Sequence, residues 1–202
     1  KMKMVKNFLA KEGKGKKILD LGCGDGALVE QMRSKGYDII GADANYESAK
    51  VLRRDIIHTG FGENSFDITL CLDVLEHLSF DEQEKAVDEI KRILKPDGTL
   101  VLTLPNLAHF ASRFSFLFLG KLLRTSEAER HKGDRPISEY LKLLKNKNFL
   151  LKKRKGLFMT LPLITLATYY FPSKALFWHK LANKIACPNW SFLNFIILQN
   201  KK

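Results

Sequence analysis

The chain has few of the residues that cross-link or anchor a protein. Its three cysteines, Cys23, Cys71 and Cys187, are odd in number and widely spaced among 202 residues, which argues against a disulfide framework and a zinc knuckle. An apolar stretch at 157–171 is interrupted by Pro162 and is shorter than the roughly 20 residues that a membrane-spanning helix needs. The lysine-rich first residues lack the apolar core of a signal peptide. We therefore expect a folded protein of the reducing cytoplasm.

Acidic residues are scarce at both ends of the chain. The formal net charge is +12, but residues 1–17 carry +6, residues 18–112 carry −8 and residues 113–202 carry +14. Such an uneven distribution can steer a protein toward an anionic partner, such as a phosphate-bearing substrate, a nucleic acid or a membrane surface. A solvated, solubilising face explains it equally well.

Strand and helix patterns alternate along the first hundred residues, which predicts a doubly wound α/β sheet in one domain. After Pro105 the pattern is less regular. The predicted strands are 17–21, 37–42, 66–72, 99–104, 149–158 and 191–199, and the predicted helices are 27–35, 46–53, 81–95 and 138–146, with a turn at 95–98. We found no internal repeat.

Three glycines follow the first predicted strand, at Gly22, Gly24 and Gly26. Glycine at these points permits a tight turn and the close approach of a ligand to the backbone. Asp20 and Asp25 flank the turn. Their carboxylates would repel a pyrophosphate but suit a ligand with an ammonium group, so the turn favours an amino-acid-bearing cofactor over a dinucleotide.

The run ILDLGCGDG that contains this turn resembles the first motif of class I S-adenosylmethionine-dependent methyltransferases, of the type 11 and type 23 kind. Four further features occur in the order of that family, and the resemblance covers about residues 17–105: GADAN with Asp43, FD at 66–67, LDVLEHL at 72–78 and LKPDG at 94–98. The resemblance implies a Rossmann-like fold with a mostly parallel seven-stranded sheet, helices on both faces and an antiparallel C-terminal strand.

The resemblance also implies the cofactor, S-adenosyl-L-methionine, with S-adenosyl-L-homocysteine as product and no metal. The implied contacts fall into four groups: Asp20, Gly22, Cys23 and Gly24 at the methionine part; Asp43 at the ribose hydroxyls; Ala44, Asp55 and Ile56 at the adenine; and Leu72 and Asp73 at the end of the fourth strand. A carboxylate such as that of Asp43 offers two acceptor oxygens to a vicinal diol.

After Pro105 the sequence resembles a subgroup that includes ubiquinone-type O-methyltransferases and methionine-biosynthesis W-like proteins. His109 and His77 are the candidate general bases for a hydroxyl acceptor, and local hydrogen bonding or packing is the alternative for each. The candidate acceptor-binding residues are Asn106, Arg113 and His131. Arginines such as Arg113, Arg124 and Arg130 can form paired hydrogen bonds to a phosphate or carboxylate, although surface solvation explains any single one.

The two halves of the chain therefore have different expected roles. Residues 17–105 form the cofactor-binding half, residues 1–16 a basic N-terminal segment, and residues 106–202 a substrate-side half with a basic and aromatic lid. The expected lid comprises residues 157–171, residues 114–119 and Trp178. These residues either contact the inner face of an anionic membrane or pack into the core.

The acceptor is left open by these residues. We expect methylation of oxygen on a small, lipid-linked or glycan-linked acceptor. An RNA methyltransferase is the first alternative, but the chain has no Asn-Pro-Pro-Tyr type motif, no paired catalytic cysteines and no recognisable RNA-binding appendage. A nonenzymatic cofactor-binding partner protein is the second, and the intact glycine and acidic positions argue against it.

Overall fold

A computed structural model describes residues 1–121, 123, 132–159, 184 and 186–202. The helices are α1 (Met2–Glu12), α2 (Ala27–Arg33), α3 (Phe80–Ile93), α4 (Phe110–Leu119) and α5 (Ile137–Asn146), with a 3-10 turn at Leu75–His77. The strands are β1 (Lys17–Leu21), β2 (Asp38–Asp43), β3 (Val51–Arg53), β4 (Phe66–Leu72), β5 (Leu94–Pro105), β6 (Phe149–Met159) and β7 (Ser191–Asn200).

The strands of the described residues form one seven-stranded sheet in the order β3-β2-β1-β4-β5-β7-β6. The first five pair in parallel, whereas β7 runs antiparallel to both β5 and β6. This arrangement confirms the predicted Rossmann-like α/β fold with an antiparallel C-terminal strand. The ends of β1, β2 and β4 all lie at one edge, where ligands bind in such sheets.

Helices cover both faces of the sheet, as predicted. On one face, α1 and α2 pack their apolar side chains, including Val5, Leu9 and Val29, into a buried cluster with β1 and β4. On the other face, α3 and α5 form a second cluster that contains Val87 and Tyr140. The central strands are therefore buried on both sides, which explains their nearly continuous apolar sequences.

The predicted helix at 46–53 is wrong. Residues 45–50 are an irregular loop that ends in a turn, and Val51–Arg53 is strand β3, which extends the sheet in parallel beside β2. Of this segment only Val51 is buried, whereas Tyr46 and Leu52 are exposed. One buried side chain cannot hold an amphipathic helix against the sheet, whereas a short strand pairs its backbone with β2. The predicted turn at 95–98 lies within β5, and Asp97 there has a positive φ of 59°.

A buried ionic network fixes the chain between β3 and α3. The Glu89 carboxylate accepts hydrogen bonds from the Thr59 backbone N–H (3.0 Å), the Thr59 hydroxyl (2.6 Å) and Arg92 Nε (2.7 Å). Burial alone would raise the pKa of Glu89, but these bonds hold it at about 2. Because the linked segment carries Asp55 and Ile56, the network also positions one wall of the candidate site.

We expect Glu89→Gln to lower the free energy of unfolding at pH 7 by about 2 kcal/mol, since a buried hydrogen bond to a charged group contributes on this order. The folded pKa of Glu89 lies below the ~4.3 of an unfolded glutamate. The contribution is therefore complete above the unfolded pKa and is lost as the pH falls toward the folded one. Urea unfolding should show a smaller difference between wild type and variant at pH 3 than at pH 7.

Glu84→Gln is the matched control, because Glu84 lies exposed on the same helix. An equal loss of stability in the two variants, or an undiminished difference at pH 3, would contradict the assigned network.

Candidate functional site

The outer two glycines of the turn after β1 differ in their surroundings from the middle one. Gly22, Gly24 and Gly26 all have left-handed backbone, with φ of 79°, 58° and 78°. A Cβ at Gly22 would overlap Val74, and one at Gly26 would overlap Val51. A Cβ at Gly24 would meet no protein atom within 4 Å. Packing therefore requires the outer two glycines, while the middle one presents bare backbone to open space.

The Asp43 carboxylate at the end of β2 holds this turn in place. One oxygen, Oδ2, accepts a hydrogen bond from the Gly24 N–H at 2.8 Å, and Oδ1 accepts one from the Asn45 N–H at 2.8 Å. A carboxylate oxygen has two lone pairs, so each retains capacity for a ligand donor. Asp43 can therefore support the turn and receive a diol at the same time.

A pocket of about 340 Å³ opens at the carboxyl ends of β1, β2 and β4. Seven of the residues predicted from the sequence line it: Gly22, Asp43, Ala44, Asp55, Ile56, Asp73 and His77. Asp20, Cys23, Gly24 and Leu72 lie at the same strand ends without lining it. A larger hollow of about 750 Å³ adjoins the pocket over α3 and shares Asp55, Ile57 and Glu82 with it.

The acidic residues at this edge create a strong preference for a cation. Asp20 is 3% exposed. Burial raises its pKa to about 7, with the Lys1 cation opposing the rise and the Asp43 charge adding to it. The Asp73 carboxylate accepts a hydrogen bond from the Thr103 hydroxyl and forms an ion pair with the Lys1 ammonium. An ammonium or sulfonium beside these carboxylates is favoured by the same attraction.

Two other residues of the turn, Asp25 and Cys23, do not line the pocket. Asp25 is exposed, and its carboxylate accepts a hydrogen bond from the Ala27 N–H at 3.0 Å, which caps the start of α2. The Cys23 thiol is half-buried, and burial, followed by the charges of Asp20 and Asp43, raises its pKa to about 12. Cys23 is therefore a neutral thiol at physiological pH.

The two candidate bases occupy different surroundings. His77 is exposed in the 3-10 turn after β4 and lines the pocket. His109 is buried, and its Nδ1 accepts the Ser112 N–H at 3.4 Å at the start of α4. Burial lowers the pKa of His109, against a weaker rise from its hydrogen bond with the Leu123 backbone. Only His77 stands beside the pocket, and a catalytic role for either residue stays a prediction.

The candidate acceptor residues after β5 make local contacts. Asn106 is buried, and its Nδ2 donates to the carbonyls of Asn189 (3.2 Å) and Ser191 (3.0 Å). Arg113 is exposed, donates to the Ala108 carbonyl at 2.6 Å and lies over the Trp190 ring. Both residues therefore join the β5–α4 turn to the start of β7. His131 lies outside the described residues, as do Arg124, Arg130 and Trp178.

Sequence reasoning missed several residues of this region. Asn45, Arg54, Val74 and Glu82 line the pocket. Asn45 and Val74 stand in quoted motifs but were given no role, Arg54 directly precedes Asp55, and no motif marked Glu82. Glu76 was quoted within LDVLEHL but given no role. Its side chain is 3% exposed, its Oε2 has no hydrogen-bond partner among the described residues, and burial raises its pKa to about 8.

Comparisons with known proteins place this site in a family. The sequence model of the methyltransferase domain matches residues 2–184. A ubiquinone biosynthesis O-methyltransferase of Haemophilus ducreyi is 31% identical over 111 residues, covering 46% of this chain and 46% of that protein. One of Aliivibrio fischeri is 28% identical over 147 residues, covering 64% and 62%. The chain spans less than two thirds of the length of these relatives.

Solved structures show the same fold. A S-adenosylmethionine-dependent methyltransferase from Archaeoglobus fulgidus matches with a TM-score of 0.65 at 19% identity, covering 98% of this chain and 94% of that one. A 1,6-didemethyltoxoflavin N1-methyltransferase from Burkholderia thailandensis, with 1,6-didemethyltoxoflavin and S-adenosylhomocysteine bound, matches with a TM-score of 0.63 at 15% identity, covering 98% of this chain and 76% of that one.

The observed site fits the cofactor of such proteins. The backbone at Gly24 is open, Asp43 has capacity for a diol, and the edge that holds Asp20 and Asp73 favours a cation. In the described part of the chain, no group of three or more His, Cys, Asp or Glu side chains is arranged to hold a metal ion. From the family match over residues 2–184 and this geometry, the chain belongs to the methyltransferase domain family of the class I S-adenosylmethionine-dependent methyltransferases.

Proposed function

We propose that the protein transfers a methyl group from S-adenosylmethionine to an oxygen of a small, lipid-linked or glycan-linked acceptor. The observation that carries this proposal is the pocket at the strand ends, with Gly22, Asp43, Ala44, Asp55 and Ile56 in its lining. The relatives named ubiquinone biosynthesis O-methyltransferases support oxygen as the acceptor atom.

Residues of the pocket and of the neighbouring strand ends would contact different parts of the cofactor. Asp43 would receive the ribose hydroxyls, while Asp55 with Ile56 would border the adenine. Asp20 and Asp73 would attract the ammonium group and the sulfonium. The bound cofactor supplies an electrophilic methyl group, and the protein's task is to align the acceptor oxygen with it and exclude water.

Transfer from a hydroxyl acceptor releases one proton as the new C–O bond forms and the S–C bond breaks. His77 lies at the rim of the pocket, and an imidazole there is the candidate base for that proton. This assignment depends on an acceptor that approaches from the side of the turn after β4.

We expect Asp43→Ala to weaken binding of S-adenosylhomocysteine by roughly 10- to 100-fold, because it removes hydrogen bonds between a charged group and the ligand and releases the glycine turn. Isothermal titration calorimetry with the purified chain measures this effect. Asp38→Ala is the control, since Asp38 is exposed at the opposite end of the same strand. Unchanged affinity in Asp43→Ala would exclude the assigned site.

We also propose that the outer face of α4 contacts an anionic membrane, which would bring a lipid-linked acceptor to the site. An ordinary amphipathic helix buries its large apolar side chains, but α4 buries the small residues Ala111, Ser112 and Ser115. Its exposed side chains are large and apolar, with exposed fractions of 49% to 76%: Phe114, Phe116, Leu117, Phe118 and Leu119. Exposed apolar patches of this kind mark interaction surfaces.

The charge around α4 supports an anionic lipid surface as the partner. Residues 105–121 contain no Asp or Glu, and Arg113 and Lys121 lie exposed on and just after the helix. Basic residues beside an inserted apolar face add attraction to anionic headgroups. No helix in the described part of the chain is long and apolar enough to cross a bilayer.

Liposome flotation tests the membrane proposal. We expect the protein to float at low salt with vesicles of phosphatidylglycerol and phosphatidylcholine, and the double variant Leu117→Ser/Leu119→Ser to remain with the unbound fraction. The control is Leu150→Ser/Leu151→Ser, which removes two exposed leucines from β6. Absence of binding by the wild type, or equal binding by the α4 variant, would reject this face as the membrane contact.

A further inference from the structure

Two polar side chains on the last strands, the half-buried Arg154 and the buried Asn194, form a pair whose purpose the fold does not explain. Arg154 lies on β6 and Asn194 on β7, and Arg154 Nε donates a hydrogen bond to Asn194 Oδ1 at 2.7 Å. Asn194 is fully buried. The bond leaves Arg154 Nη2 and Asn194 Nδ2 as further donors.

Those remaining donors have no acceptor. Arg154 Nη2 and Asn194 Nδ2 are both buried without a hydrogen-bond partner among the described residues. The ion pairs found in that part of the chain do not include Arg154 either. Partial burial lowers the pKa of the Arg154 guanidinium, which reflects the cost of removing part of a charge from water without an anionic partner. Two adjacent buried N–H donors, one of them charged, are incomplete without an oxygen-bearing partner.

The pair lies at the ligand-binding edge of the sheet. Asn194 pairs with Leu104 near the end of β5, and the neighbouring Thr103 pairs with Leu72 at the end of β4. Asn194 therefore stands two strands, and Arg154 three strands, from the end of β4 that leads to Asp73, or about 10 Å and about 14 Å at roughly 4.8 Å per strand. An acceptor bound to both donors has to span this distance to reach the cofactor pocket.

The pair also faces the correct side of the sheet. Directly paired residues of neighbouring strands point to the same face. Arg154 pairs with Ile196, and Asn194 with Leu104, and both partners belong to the cluster beneath α3 and α5. The cofactor pocket lies on this side as well, because Glu82 of α3 lines it.

We infer that Arg154 and Asn194 bind a carboxylate group of the acceptor. The free N–H groups of a guanidinium and of an amide can each donate to one oxygen of a carboxylate, and the guanidinium provides the charge that such a group needs when desolvated. The inference rests on the proposed function, since it names a chemical feature of the molecule that receives the methyl group. Arg154 differs in its exposure from the neighbouring lysines: it is half-buried, whereas Lys152, Lys153 and Lys155 are exposed.

Calorimetric titration with benzoate, benzamide and inorganic phosphate, each in the presence of saturating S-adenosylhomocysteine, tests the inference. We expect saturable binding of benzoate and at least about tenfold weaker binding of neutral benzamide, because only the former completes the charged hydrogen bonds. Arg154→Gln and Asn194→Asp should each weaken benzoate binding about tenfold or more. Lys153→Gln, which removes an exposed charge from the adjacent position, should leave it unchanged.

Each result is decisive. Benzoate binding that is absent from the wild type, equal in all variants, or exceeded by that of phosphate overturns the carboxylate site, as does a benzoate-soaked crystal structure with only water on the two donors. Thermal unfolding identifies a variant that does not fold, and Asn194→Asp then serves in place of Arg154→Gln. Binding of S-adenosylhomocysteine, measured first, distinguishes failure of this inference from failure of the proposed function.

Discussion

The hydrogen bond from the Gly24 N–H to the Asp43 carboxylate is the contact on which the candidate site depends. It joins the loop after β1 to the end of β2, two segments that meet only because their strands are neighbours. The second oxygen of Asp43 binds the Asn45 N–H and directs the chain toward β3. One carboxylate therefore sets two walls of the pocket and retains lone pairs for a ligand donor. The left-handed backbone of Gly24 is what brings its N–H within reach.

Charge separates the two ligand-binding regions of this edge. Acidic side chains, including Asp20, Asp43 and Asp73, lie where β1, β2 and β4 end. Burial, with a further contribution from the Asp43 charge, raises the pKa of Asp20 to about 7. Two and three strands farther along, Asn194 and the half-buried Arg154 present N–H donors. Charges removed from water are weakly screened, so each region favours a partner of opposite sign. Under the proposed function, these two regions would receive a cationic cofactor and an anionic acceptor.

Local patterns predicted most of the strands and helices but not the roles of individual side chains. The segment at 46–53 contains spaced apolar residues like a short helix, yet pairing with β2 makes it a strand. His109 and His77 are equally suitable bases by residue type. Only the fold shows that His109 caps α4 while His77 faces the pocket. Asn106 likewise binds the backbone at the start of β7, more than eighty residues away.

The sequence by itself determined the alternation of strands and helices, the glycine turn and the acidic residues at strand ends. These features are local, because apolar periodicity and backbone stereochemistry act over a few neighbouring residues. The tertiary structure decided which segments meet: Val74 against Gly22, Asp43 on Gly24, and Arg154 beside Asn194. It also decided that α4 turns its phenylalanines outward. Such contacts depend on strand order and register, which are set by packing among distant segments and leave no mark in the local pattern.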